Sequence, residues 1–154
     1  RIYADELSYN LHIMMRFELE KQLFDGSLSV DDLDDAWDAL SQEYLGVRPQ
    51  KPAEGWAQDM HWPAGMFGYF QSYTLGNLYS AQIAAHLRKQ MPDFDDLVRR
   101  GEFDPIRQWL TENWYRYGQI YINEQLLDKM NGEPLKAGYL CDYLEEKFGR
   151  LYSL

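Results

Sequence analysis

What most constrains the fold is the placement of helix breakers. Asp25-Gly26, Gly46, Met91-Pro92 and Asn131-Gly132 cut the chain into stretches whose apolar residues recur at helical spacing, and no alternating strand pattern of useful length stands between them. Residues 1–24 carry Ile2, Leu7, Leu11, Met14, Met15, Leu19 and Leu23 near a helical period, which predicts a first helix over that span. Ser29 is placed to cap a second, with Asp31 and Asp32 in the first turn, where the helix dipole favours negative charge. That helix is predicted to end at Gly46 and to turn Trp37, Leu40 and Tyr44 inward. Further helices are predicted over 70–90, 93–100, 104–117, 123–131 (capped by Asn123) and from Leu135 or Tyr139 to Tyr152. The class is all-α, about seven helices in a single helical domain over residues 1–154.

One stretch resists this pattern. Residues 47–68 hold Pro49, Pro52, Gly55, Pro63, Gly65 and Gly68, too many breakers for a helix. They also hold Trp56, Met60, Trp62 and Phe67, too many rings and apolar groups for a disordered linker. A long irregular segment of this kind is expected to be an ordered loop, packed on the body of the protein at a site.

Composition narrows the partners. A formal net charge of −10 repels a phosphate backbone, and the basic residues do not gather into a patch, so nucleic acid is excluded as a partner. The most apolar stretch, from Leu75 to Ala85, is interrupted by Asn77, Ser80 and Gln82 and falls short of the ~20 residues a membrane-spanning helix needs. Cys141 is the single cysteine, which rules out an internal disulfide and favours a reducing compartment. Its helical spacing with Leu140 and Leu144 predicts a buried, inert thiol. The first residue is Arg1 rather than Met, inside a predicted helix, so a piece of a longer or processed protein is expected.

The three histidines, His12, His61 and His86, are not spaced as metal ligands, and no metal-binding residues are assigned in this chain. His12 and His86 read as structural or surface residues. Neither a phosphate-cradling Gly loop nor a nucleophile elbow is present. Chemistry concentrates instead in the irregular loop and the helix after it, where Gln58, Asp59 and His61 are followed by Tyr69 and Tyr73. A carboxylate beside a histidine selects its tautomer. An imidazole and a phenol together are able to hold a developing oxyanion. The same residues also fit a plain structural reading, in which Asp59 caps a turn and the rings only pack.

Gly55-x-x-Gln58-Asp59-x-His61-Trp62 matches a GxxQDxHW signature, and on it the chain resembles the thermostable (Taq-like) zinc carboxypeptidases. Arg1-Ile-Tyr-Ala4-Asp5 resembles the tail of that family's IRxxAD signature. Arg16-Phe-Glu-Leu-Glu20, Phe67-Gly-Tyr-Phe70 and Leu75-Gly-Asn-Leu-Tyr79 agree with the family's text as well. Gln71-Ser72 departs from it, standing where Pro-Thr is expected.

The resemblance implies the C-terminal lobe, about a third, of a gluzincin-like helical metallopeptidase. Such an enzyme removes C-terminal residues from peptides and is cytoplasmic and often dimeric. It implies zinc (or cobalt) held by an HExxH motif and a further Glu, all preceding Arg1, so the lobe alone would be inactive. Arg1 is then expected to bind the terminal carboxylate of the substrate, and His61 to face the metal and hold the tetrahedral intermediate. Tyr69 or Tyr73 is expected to donate to the oxyanion, while Gln58 and Asp59 contact substrate or orient His61. The alternative from another class is a non-catalytic helical binding or interaction module that reuses this half of the fold.

Overall fold

A computed structural model describes residues 4–154. Among them lie seven α-helices and no strand: α1 Tyr9–Asp25, α2 Leu33–Leu45, α3 Gln71–Gln90, α4 Phe94–Arg100, α5 Asp104–Asn113, α6 Asn123–Asn131 and α7 Gly138–Tyr152. The chain groups into two compact units, the first ending at Gly76 and the second running Asn77–Leu154, so the division falls inside α3.

The first unit is built on α1 and α2. Met15 and Leu19, one turn apart on α1, meet Leu33 and Trp37, one turn apart on α2, in a core where none is more than 6% exposed. Leu40 and Tyr44 continue the inward face of α2, as their spacing predicts. Burying a side chain such as Leu19 contributes roughly 1.5–3 kcal/mol. Gly46 ends α2 in the left-handed region at φ 68°, where its N–H closes the helix onto the Gln42 carbonyl at 3.1 Å.

The second unit takes the rest of α3 and the four helices after it. Leu87, Leu97, Leu126 and Leu127 are buried there. So is the Gln82 amide, which donates to the Pro134 carbonyl at 3.0 Å and accepts from the Lys136 N–H at 2.9 Å. A wholly buried amide stays in place only if both ends find partners, and here both do. His86 lies 3.3 Å from the Glu133 carboxylate, which also accepts from Tyr139 and Lys136. His86 is thus a structural residue of this unit.

Several predicted boundaries shift. α1 begins at Tyr9, and the residues just before it turn, with the Asp5 carboxylate accepting the Ser8 N–H at 2.9 Å. The part of the first predicted helix that covers residues 1–3 lies outside the described residues. Ser29 does cap, but it caps a 3₁₀ turn at Val30–Asp32, its hydroxyl accepting the Asp31 N–H at 3.2 Å before α2 starts. α5 stops at Asn113 rather than 117, because Trp114 leaves helical geometry (φ −129°, ψ −64°). Asn123 is the first residue of α6 and caps nothing: the cap position is Ile122, and it makes no side-chain bond. Cys141 is exposed, not buried. The half-buried face of α7 runs through Leu140, Tyr143, Leu144 and Phe148, and Cys141 falls beside it.

Candidate active site

Between α2 and α3 the backbone is regular only in two 3₁₀ turns, Pro52–Glu54 and Trp56–Gln58. The loop owes its shape to what it rests on. The Ser41 hydroxyl of α2 donates to the Val47 carbonyl at 2.8 Å as the loop leaves the helix. Gly55 then lies against Trp37. A Cβ there would meet Trp37 Nε1 at 3.0 Å and Pro49 Cγ at 3.3 Å, so any larger residue at the first position of the GxxQDxHW pattern requires Trp37 or Pro49 to give way by a few tenths of an ångström. Trp56 donates its indole N–H to Asp34 of α2 at 2.6 Å.

Two α1 side chains one turn apart hold the middle of the loop. The Arg16 Nε–H donates to Asp59 Oδ2 at 3.3 Å, and its Nη1 donates to the His12 carbonyl at 2.9 Å. The guanidinium lies over the Trp37 ring at 4.8 Å and near Phe70 at 5.8 Å. Burial lowers the Arg16 pKa, and the Asp59 carboxylate opposes that shift. Glu20, only 4% exposed, accepts the Trp62 indole N–H at 2.8 Å and the Gly68 backbone N–H at 3.1 Å. One helix face therefore grips the loop at Asp59, at Trp62 and at Gly68.

Asp59 turns the chain at the key position. Its Oδ1 accepts the backbone N–H groups of His61 at 2.7 Å and Trp62 at 3.2 Å, an Asx turn that sets the direction of the His61 side chain. The same oxygen lies 3.4 Å from His61 Nδ1, close but not aligned for a hydrogen bond, so that buried nitrogen has no bonded partner. The other ring nitrogen, Nε2, is 3.0 Å from the Tyr73 hydroxyl. The Tyr69 ring stacks on the imidazole at 5.8 Å, Phe70 leans on it at 4.8 Å, and Tyr69 meets Tyr73 edge-on at 5.3 Å. Burial, then the neighbouring Tyr69, raises the Tyr73 pKa, which favours the protonated phenol.

Asp59, His61, Tyr69 and Tyr73 are thus brought together. Gln58 is not: it closes its turn through a backbone N–H to the Gly55 carbonyl at 3.2 Å, and the residue is exposed. Arg1 lies outside the described residues. Sequence spacing assigns no role to Arg16 or Glu20. The available signal is the Arg16-Phe-Glu-Leu-Glu20 run itself, in which two opposite charges share a helix face with Met15 and Leu19.

No group of three or more His, Cys, Asp or Glu side chains able to hold a metal occurs among the described residues. The site offers donors and rings, with no metal cage among those residues.

The site is thus an imidazole–phenol pair beside a buried carboxylate, carried on a helical scaffold. The chain belongs to the Carboxypeptidase Taq (M32) metallopeptidase family, whose model matches residues 1–148. Carboxypeptidase 1 of Bacillus subtilis is 47% identical over the whole chain, and Thermostable carboxypeptidase 1 of Pyrococcus furiosus is 43% identical over 96% of it. The solved M32 carboxypeptidase from Deinococcus radiodurans R1 superposes with a TM-score of 0.94 at 41% identity over 98% of the chain. These matches span 31%, 30% and 31% of the respective relatives, so the chain covers under a third of their length.

Proposed function

We propose that this chain is the substrate-side lobe of a longer metallocarboxypeptidase that cleaves residues from the C-terminus of peptides. The single observation that carries the reading is the 3.0 Å contact between His61 Nε2 and the Tyr73 hydroxyl, set in a loop whose shape is dictated from outside it. In the resting site these two groups satisfy each other. With the His61 proton on Nε2, the imidazole N–H and the Tyr73 O–H would both turn to donate to a tetrahedral oxyanion arriving between them, and a preformed pair of donors lowers a barrier. Asp59 serves by turning His61 toward Tyr73.

The finer points belong to the same proposal. The resident metal is zinc or cobalt, held by residues outside this chain. Arg1 pairs with the terminal carboxylate of the peptide, because a guanidinium engages a carboxylate through two parallel bonds. Gln58, exposed at the loop surface, is available to substrate. The assembled enzyme is a homodimer of the cytoplasm. No helix of the described chain is long and apolar enough to cross a membrane.

The test compares this chain alone with the chain extended upstream in its own gene, each supplied with zinc or cobalt, for release of C-terminal residues from an N-blocked dipeptide. Release by the extended protein only is the expected result. An extended protein that binds metal and releases nothing overturns the carboxypeptidase reading.

A further inference from the structure

Of the contacts around the loop, the one between α1 and Asp59 reaches furthest into the chemistry. The Asp59 side chain is 4% exposed and that of Arg16 19%. A carboxylate so deeply placed is costly unless a cation and hydrogen-bond donors accompany it. Its donors are two backbone N–H groups of the residues it positions, and its cation is Arg16. Arg16 is in turn immobilised three ways: through its bond to the His12 carbonyl, by the Trp37 face, and by Phe70, whose ring also rests on the His61 imidazole. Arg16 therefore reaches His61 along two routes, through the Asp59 carboxylate behind the ring and through the Phe70 ring beside it.

We propose that Arg16 is a positioning residue for His61: it holds Asp59 in the conformation that aims the imidazole at Tyr73, although it touches neither ring nitrogen itself. The flat guanidinium suits this place because it bonds Asp59 in its own plane while its faces meet aromatic rings, which an ammonium is unable to do. Without it the Asp59 carboxylate is left buried with no counter-charge. The Asx turn then gives way, and His61 is released from Tyr73.

The inference rests on the proposed function for its turnover arm only. The second arm reads the histidine directly, as the rate at which diethyl pyrocarbonate modifies His61, followed by peptide mapping, with His86 as the internal reference. Both arms use the gene-extended protein. Arg16→Met is expected to lower kcat at least ~10-fold with KM and metal content within about twofold, as loss of an orienting partner does. It is also expected to speed His61 modification relative to His86 by a similar factor. If Arg16 acts through Asp59, the Arg16→Met, Asp59→Asn double variant loses no more than Asp59→Asn alone.

Should Arg16→Met fail to fold, Arg16→Lys keeps the charge without the plane, and it is expected to move both readouts the same way by about threefold. A folded Arg16→Met, or an Arg16→Lys, that matches the unchanged protein in both turnover and His61 reactivity overturns the inference. If the unchanged protein proves inactive while Arg16→Met still accelerates His61 modification, the proposed function falls and the positioning role stands.

Discussion

His61 Nε2 lies 3.0 Å from the Tyr73 hydroxyl, while the Tyr69 ring stacks on the same imidazole from the side at a centroid distance of 5.8 Å. The two tyrosines thus stand in different relations to the one histidine: Tyr73 shares a polar contact with it, and Tyr69 shares a face.

That difference separates their expected roles in the gene-extended protein. His61→Ala is expected to cut kcat at least ~100-fold, as removal of an oxyanion donor does. Tyr73→Phe removes the hydroxyl and keeps the ring, and it should approach the same loss, on the order of 10–100-fold. Tyr69→Phe, which preserves the stacking, should stay within about threefold. Steady-state kinetics with the metal content measured alongside decide the matter, and a crippled Tyr69→Phe beside an intact Tyr73→Phe would reverse the assignment.

Gly55→Ala tests why the loop begins as it does. The new methyl would meet Trp37 Nε1 at 3.0 Å and Cδ1 at 3.1 Å, and Trp37 is a core residue with little room to move. The expected destabilisation is about 1–3 kcal/mol. For a chain of this size that lowers the melting temperature by roughly 2–4 °C per kcal/mol. A melt unchanged from the parent would mean that the Trp37 side of the core yields freely.

Trp62→Phe keeps an aromatic ring in place but deletes the indole N–H that donates to Glu20 at 2.8 Å. Glu20 is buried, and its other oxygen keeps the Gly68 N–H while this one loses its donor. The expected cost is about 1–3 kcal/mol, seen as a lower urea midpoint at unchanged slope. An unshifted midpoint would show that the Trp62–Glu20 bond contributes nothing net.

In the second unit Glu133 is held at about 2, from an ordinary 4.5, first by Lys136 and then by Tyr139. A carboxylate whose folded pKa is depressed stabilises the fold above its unfolded pKa and loses that contribution as pH falls through the folded one. Between pH 4.5 and about 2 the parent chain should therefore lose stability that Glu133→Gln never had. Thermal melts of the two proteins should differ most near neutral pH and converge toward pH 2. A constant gap across that range would contradict the shifted titration.

The helices and their stops are legible in the sequence because those signals are local. Asp25-Gly26 and Gly46 each close a run of helical spacing, the place where glycine commonly ends a helix. The spacing of Met15 and Leu19 on one helix and of Trp37, Leu40 and Tyr44 on the next marks each inward face without reference to anything distant. The aromatic loop with Asp59, His61 and the tyrosines is legible as well, since its residues lie within one short stretch. Arg16 and Glu20 are not. A charged pair one turn apart on a helix ordinarily marks a solvated face, and only the long-range docking of the loop reveals that Glu20 is buried and Arg16 largely covered. Cys141 departs from expectation for a related reason: neighbours at helical spacing identify a face, but a residue one step off that face turns outward.

The loop that carries His61 has no regular structure beyond three-residue turns, and the contact between Glu20 and Gly68 closes 48 residues of chain. Closing a segment of that length costs entropy before any contact within it is gained. The loop is thus expected to be a late event in folding, waiting on α1 and α2, and the first part to come apart when α1 loosens. His61 and Tyr73 are twelve residues apart in every copy of the chain, folded or not. What makes them a pair is the face of α1 that grips the loop at Asp59, Trp62 and Gly68.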